Sequence, residues 1–330
     1  MRDTTADSTA RDHGGDLDRA QARYGAGPWL DLSTGINALP YPLPPIAPDA
    51  WASLPTRTAI ATLEAAARRA YGSGGEAVAL AGAQAAIQLV PRLLPPGDAR
   101  VLAPTYNEHG GALRGQGWQV QEVGTLDALD GADLAVVVNP NNPDGQTHAP
   151  AALAGLSQSV GLLIVDESFA DAKPGLSLAS RIAPETERLI VLRSFGKFYG
   201  LAGLRLGFAL CGTGHASRLR SLAGPWAVSG PAVVIGQAAL SDTAWADATR
   251  MRLSAAAARL DALCAQAGWT LVGGTPLFRT YHTPDAGHAQ ALLARHHVWS
   301  RIFPYSPHWI RLGLPGRDEG WRQLSQALRP

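Results

Sequence analysis

LIVLRSFGKFYGLAGLRLGFAL, residues 189–210, joins two apolar runs, Leu189–Leu192 and Leu206–Leu210, through a short polar, glycine-bearing passage. Apolar runs of this length bounded by turn residues read as buried strands. Five more lie upstream, near Ala77–Ala81, Arg100–Ala103, Gln119–Val123, Leu134–Val138 and Leu162–Val165. Helical patterns over Ala83–Leu94 and Glu108–Gln116 alternate with them. Continuous apolar strands alternating with helices predict an α/β fold with a mostly parallel seven-stranded sheet covered on both faces. Ligands of such sheets sit beyond the carboxyl ends of the strands. The polar and glycine-rich signals fall there: NPNNPDG after Val138, DES after Val165, RSFGK after Leu192.

The rest of the chain bounds this reading. Its 330 residues suggest two domains. A hydrophobic content of 46% with 17% charged residues describes an ordinary globular protein. The net charge of +1 and the absence of a basic stripe imply no polyanion partner, so no nucleic acid is expected. No apolar run reaches the roughly 18 residues of a membrane span. MRDTTADSTARD has no apolar core and is no signal peptide, and residues 1 to about 12 are expected to be disordered. Cys211 and Cys264 lack metal-ligand spacing, so no metal site is expected; they read as buried thiols of a reducing cytosol. Residues 28–48 carry too many prolines for a helix and are expected to cross the surface in extended form. After about residue 220 the texture changes. Helices are predicted over Ser229–Ser241, Trp245–Gly268 and Glu319–Leu328, and strands near Pro276–Tyr281, Val298–Ile302 and Trp309–Leu312, a second and smaller α+β domain.

The chemistry starts with Lys197. Of the 28 basic residues only Lys173 and Lys197 are lysines. An amine forms an imine with an aldehyde, which a permanently charged guanidinium does not. Arg205, across the turn GLAG, suits bidentate phosphate binding, and Ser194 adds a hydroxyl. Asp166 ends the strand LLIVD, where a carboxylate needs a cationic partner to stay charged; a protonated pyridine nitrogen is one. Asn142 in NPNNPDG offers an amide to a phenolate oxygen. Gly82, Ala83 and Gln84 open a helix after a strand, and free N–H groups at a helix start bind phosphate. A Walker-type nucleotide loop around Gly196-Lys197 is excluded, because Phe198 stands where a Ser or Thr is required. An imine lysine, a pyridinium carboxylate, a phenolate amide and a phosphate cradle together describe a site for pyridoxal 5′-phosphate.

From about residue 13 onward this set resembles the class I/II aminotransferase family, the fold-type I enzymes. The resemblance implies the aspartate aminotransferase fold, a pyridoxal-phosphate-dependent transferase-like architecture. It would comprise an N-terminal arm (1–30), a large cofactor-binding domain (31–220) and a smaller C-terminal domain (221–330), assembled as a cytoplasmic homodimer. It also assigns roles. Lys197 becomes the covalent anchor, Asp166 the partner of the ring nitrogen and Asn142 that of the ring hydroxyl. Ser194, Arg205 and the Gly82–Gln84 backbone hold the cofactor phosphate, and Tyr106 in PTYNEH stacks on the ring. His109 falls where some relatives place a histidine behind the aspartate. Arg311 in WIRLGLP resembles the arginine that grips a substrate carboxylate. Arg301 in VWSRIF matches the phosphate arginine of the histidinol-phosphate aminotransferase branch. Two departures stand out: Phe169 replaces a common tyrosine, and Leu54-Pro55 replaces a Tyr-Pro that reaches the neighbouring subunit.

Within that family, HGGDLDRAQARYG and LDLSTGINALPYP resemble the branch that decarboxylates threonine phosphate for cobalamin biosynthesis. This implies a small phosphorylated amino acid as substrate, met by His13, Asn37, Asn142, Arg301 and Arg311. The alternatives are a histidinol-phosphate-type aminotransferase and a cofactor-binding protein without catalysis.

Overall fold

A computed structural model describes residues 13–329. The disorder expected for residues 1 to about 12 lies outside the described residues. The centre is a seven-stranded sheet in the order Glu76–Leu80, Gly207–Cys211, Leu189–Ser194, Leu162–Asp166, Leu134–Val138, Asp98–Leu102, Gln119–Val123. Gly207–Cys211 runs antiparallel to both neighbours. The other pairings are parallel, so the mostly parallel sheet expected from the sequence is present.

Residues alternate between the two faces of a strand. Leu163, Val165, Leu189 and Val191 therefore enter one core, while Leu162, Ile164, Ile190 and Leu192 enter another on the opposite face. The four strands from 134–138 to 207–211 are buried at every position. That is why they read as continuous apolar runs. The edge strand Gln119–Val123 is instead polar and largely exposed, which discourages pairing with another chain. Cys211 and Cys264 are buried free thiols. Among the described residues no helix is long and apolar enough to cross a membrane.

The C-terminal part carries a four-stranded antiparallel sheet in the order Arg301–Phe303, Ser306–Gly313, Phe278–His282, Thr270–Thr275. The single strand predicted over Val298–Ile302 is two strands in different sheets. Val298–Trp299 pairs in parallel with Leu30–Asp31, and only Arg301–Phe303 joins the four-stranded sheet. The strand at Leu30–Asp31 straddles the boundary drawn at 30/31 and pairs with the C-terminal part.

The helix predicted over Ala83–Leu94 ends at Leu89 and passes into a 3-10 turn over Val90–Arg92. Pro91, which lacks an N–H, ends the α-helical ladder. Residues 28–48 are helix-free, as expected, but they do not simply cross the surface. Leu32, Ser33, Asn37 and Tyr41 are buried. The reason is backbone bonding on both sides: Leu32 N donates to Trp299 O and Gly313 N to Leu32 O, while Asn37 N donates to Lys197 O and Tyr41 N to Tyr199 O. The segment is a seam between the two sheets.

The NPNNPDG turn is bolted onto the smaller sheet. Thr280 Oγ1 donates to Pro143 O at 2.5 Å. Gly145 packs so close to Gly274 that a Cβ on Gly145 would meet the Gly274 backbone, and Gly145 also sits at φ +71°. A side chain there is excluded by both space and backbone conformation. Gly145→Ala is expected to destabilise the fold by about 1–3 kcal/mol, read as a lower denaturation midpoint in urea with an unchanged slope.

Candidate active site

A cavity of about 730 Å³ opens beyond the carboxyl ends of the strands. Its lining includes Lys197, Asp166, Tyr106, Asn142, Ser194, Arg205, Arg301, Arg311, His13 and the Gly82–Gln84 turn. Of the residues expected at the site, only Asn37 lies elsewhere.

The alternation of the strands selects this set. Asp166 and Ser194 continue the face of Ile164 and Leu192, and that face turns toward the cavity. Asp166 is buried, with Oδ2 2.8 Å from His109 Nε2. Its Oδ1 accepts from the Ser168 backbone N at 2.9 Å and from the Ser168 hydroxyl at 2.5 Å. Burial works against the charge, but the bonds from His109 and Ser168 outweigh it and hold the carboxyl below its ordinary value. His109 thus stands behind the aspartate. The residues on the opposite face, Glu167 and Arg193, form a buried ion pair at 2.8 Å, and Arg193 also reaches Asp171 at 2.9 Å. This pair braces the same two strand ends without entering the cavity.

Lys197 follows Leu189–Ser194 on one helical turn, Phe195–Phe198. Gly196 permits that turn, because a Cβ there would press on the Ala202 backbone. The ammonium faces the cavity within a protein-walled setting. Burial, then the Arg311 guanidinium, lower its pKa to about 8, with Arg205 adding to the effect and Asp166 opposing it.

The phosphate cradle expected at the Gly82–Gln84 turn rests on two glycines. Gly82 sits at φ +81°, and a Cβ on it would stand 2.8 Å from Arg205 Nη2. A Cβ on Gly207 would strike the Ala83 backbone N. Both glycines keep the start of the helix Ala83–Leu89 bare, so its N–H groups and the Arg205 guanidinium lie side by side. Arg205 itself is left-handed, at φ +55°. A non-glycine residue in that region costs roughly 1 kcal/mol, and such strain gathers at functional sites.

Tyr106 lines the wall, its hydroxyl donating to Gln84 Oε1 at 3.3 Å. Burial, then Glu108 and Asp166, push its pKa up to about 12, so it stays a neutral phenol. Asn142 accepts on Oδ1 from Arg311 Nη1. With its oxygen committed there, its amide NH₂ remains the group to offer a ligand. Arg311 also donates from Nη2 to Ser33 O at 2.6 Å, and its guanidinium lies 5.1 Å from the Phe278 ring centroid. Arg301 stands 5.5 Å from the Phe303 ring centroid.

Asn37 does not meet this cavity. Its Nδ2 donates to Phe198 O at 2.9 Å, and its Oδ1 accepts from Leu39 N. The backbone bond to Lys197 O turns the side chain behind the lysine helix, into a smaller cavity with Arg252 and Arg259. Thr34 and Gly35 of the same STGIN stretch line the main cavity instead. Sequence reasoning missed Ser168, Ser33 and Glu108. Glu108 accepts from Gln84 Nε2 at 2.6 Å and lies 3.2 Å from His13 Nε2. All three stand inside motifs already noted, DES, STGIN and PTYNEH, but nothing in their spacing marks them as second partners.

The residues fit pyridoxal 5′-phosphate. A bare helix start beside a guanidinium suits a phosphate, an ionised carboxylate backed by a histidine suits a ring nitrogen, and a lysine near neutrality suits an aldehyde.

The profile of the family "Aminotransferase class I and II" matches residues 47–328. The threonine-phosphate decarboxylase of Sinorhizobium sp is 42% identical over 325 residues, covering 96% of this chain and 97% of that protein. That of Pseudomonas aeruginosa is 44% identical over 329 residues, with 96% and 97% covered. A solved structure of histidinol-phosphate aminotransferase from Sinorhizobium meliloti in complex with pyridoxal-5′-phosphate superposes with a TM-score of 0.82, covering 94% of this chain and 93% of that one, at 18% identity. That likeness is one of fold.

The lowered pKa of Lys197 has two consequences in the cofactor-free chain. An exposed lysine titrates near 10.4, so between about pH 8 and 10.4 the unfolded chain binds more protons than the folded one, and this group's contribution to stability rises with pH through that window. Trapping of a simple aldehyde by borohydride should show a rate midpoint near pH 8 that Lys197→Ala abolishes. Arg311→Gln should move the midpoint upward by removing the like charge that lowers it most.

Proposed function

The chain belongs to the class I and II aminotransferase family, and on that premise we propose that it decarboxylates L-threonine O-3-phosphate to (R)-1-amino-2-propanol O-2-phosphate. Its cofactor is pyridoxal 5′-phosphate and its setting is cobalamin biosynthesis in the cytoplasm. The observation that carries the substrate class is the presence of two arginines, Arg311 and Arg301, in one cavity with Lys197. Two forked cations suit a substrate with two anionic ends. Decarboxylation is the activity in the names of both near-full-length relatives.

Lys197, Asp166, Asn142, Tyr106, Ser194, Arg205 and the Gly82–Gln84 backbone would hold the cofactor. When bound, pyridoxal phosphate supplies an electron-accepting ring that makes the bonds at the substrate Cα labile. The protein then selects the bond that breaks. Arg311, fixed by Asn142 and the Ser33 carbonyl, binds the carboxylate and sets its orientation. Arg301 takes the phosphate, and His13 lines the same cavity. Asp166 keeps its negative charge through His109 and Ser168. Loss of carbon dioxide leaves Cα in need of a proton. Lys197 Nζ, with a pKa of about 8, both binds and releases one near neutral pH. Phe169 brings no hydroxyl to this wall; its ring centroid stands 5.7 Å from Lys197 Nζ.

The protein pairs as a homodimer in this reading. Leu43, Trp51 and Leu54 expose 61, 69 and 63% of their surface within one short stretch. Large exposed apolar groups grouped in this way mark a contact face. Sedimentation should give twice the chain mass, and Trp51→Glu with Leu54→Glu should shift it toward the monomer.

The deciding assay mixes cofactor-loaded protein with threonine phosphate and follows carbon dioxide and aminopropanol phosphate. Both products are expected. Amino transfer from histidinol phosphate to 2-oxoglutarate instead would establish the aminotransferase reading, and no turnover of either would leave a binding protein. In the active enzyme, Lys197→Ala should abolish turnover. Asp166→Asn should lower kcat by roughly a hundredfold or more, the scale of losing one charged stabilising group.

A further inference from the structure

We propose that Ser33 is a positioning residue that ties residues 13–15, at the cavity rim, to the arginine that grips the substrate carboxylate. The inference rests on the reading of Arg311 given above. Ser33 is 1% exposed, and each of its polar groups is engaged. Its backbone N–H donates to Asp31 Oδ1 at 2.9 Å and its hydroxyl to the same oxygen at 2.6 Å. The hydroxyl oxygen accepts from Gly15 N at 2.7 Å. Its carbonyl accepts from Arg311 Nη2 at 2.6 Å.

The residue moves with the frame that carries Arg311. Leu30 N and Leu32 N bond to His297 O and Trp299 O, and Gly313 N bonds to Leu32 O, two residues beyond Arg311. The arm packs on the same carbonyl that the arginine uses. A Cβ on Gly14 would collide with Ser33 O, so only glycine seats the arm there without displacing the acceptor. At the far side of this short segment His13 lies 3.2 Å from Glu108 Oε1, and its ring centroid is 6.0 Å from that of Tyr106. His13 and Gly14 line the cavity, His13 exposed to solvent and Gly14 half-buried. The segment is therefore a strap. One end is tied through Ser33 to the C-terminal strands, the other through Glu108 to the large sheet's side.

The Arg311 guanidinium has a fixed set of N–H groups, and Ser33 O and Asn142 Oδ1 occupy two of them. The position of the Ser33 carbonyl thus sets which N–H groups turn toward a carboxylate in the cavity. Closing the strap and engaging the carboxylate share one residue, so each favours the other.

Two variants separate the parts. Ser33→Ala keeps the carbonyl and removes the hydroxyl that holds Gly15. It should speed tryptic cleavage at Arg19 and Arg23 several-fold and raise KM for threonine phosphate about tenfold, the worth of one hydrogen bond, with kcat changed much less. Gly14→Ala keeps the hydroxyl and displaces the carbonyl, and should raise KM similarly. It lies in a rim segment outside both cores, so it remains informative if Ser33→Ala does not fold. A KM unchanged in both soluble variants, or an unchanged cleavage rate in Ser33→Ala, overturns the proposal, even if the melting temperature falls. An inactive unmodified enzyme would instead defeat the decarboxylase reading.

Discussion

A carboxylate that must stay charged inside a dry sheet organises this molecule. Asp166 ends a strand with no exposed residue, where an unpaired charge would be costly. Its partners come from two directions. Ser168 belongs to the turn that immediately follows, so local chain geometry supplies two of its bonds. His109 arrives on the helix Glu108–Gly115 from beyond the Asp98–Leu102 strand. That helix must pack tightly to deliver it, and Ala112 and Leu113 of the same helix enter the core on that face. The strand alternation then divides the labour. Asp166 and Ser194 face the cavity, while Glu167 and Arg193 point the other way and lock to each other. A single shift of register would exchange the two sets and place the ion pair in the cavity.

The second constraint is how two sheets share one site. Asn142 rides on a turn of the large sheet and Arg311 on a strand of the small one, yet they bond directly. Backbone-on-backbone contact makes that possible. Gly145 meets Gly274, Gly273 meets the Asp144 carbonyl, and Thr280, in register with Arg311, holds Pro143. Side chains at these positions would wedge the sheets apart. The glycines thus set the distance between Asn142 and Arg311, the groups proposed to meet the cofactor's ring and the substrate.

Much of this was legible in the sequence because burial leaves a signature. The strands buried on both faces stood out as apolar runs, and Lys197, Asp166, Asn142 and Arg205 stood at their ends. What escaped was set by tertiary partners. The strand Val298–Trp299 was separable from Arg301–Phe303 only once Leu30–Asp31 was known to pair with it. The seam over 28–48 looked like a surface crossing, because prolines exclude a helix but do not say what lies on either side. Asn37 was assigned to the substrate from its motif, yet a backbone bond to Lys197 turned its side chain away.

The scarcity of lysine gains its sense from electrostatics. The pKa of Lys197 is lowered to about 8, first by burial and next by Arg311. A free amine is what an aldehyde requires, so the arginine proposed to take the substrate carboxylate also prepares the lysine. A carboxylate docked on Arg311 offsets that positive charge, and the lysine then holds a proton more readily. In the cofactor-free chain the same cation therefore lowers proton affinity at Lys197, and an anion docked on it would release that restraint. An arginine at 197 would stay protonated throughout, and a lysine at 311 would trade the planar fork that grips Asn142, Ser33 and a carboxylate together for a point charge. The two cations are not interchangeable, because one must lose its proton and the other must never do so.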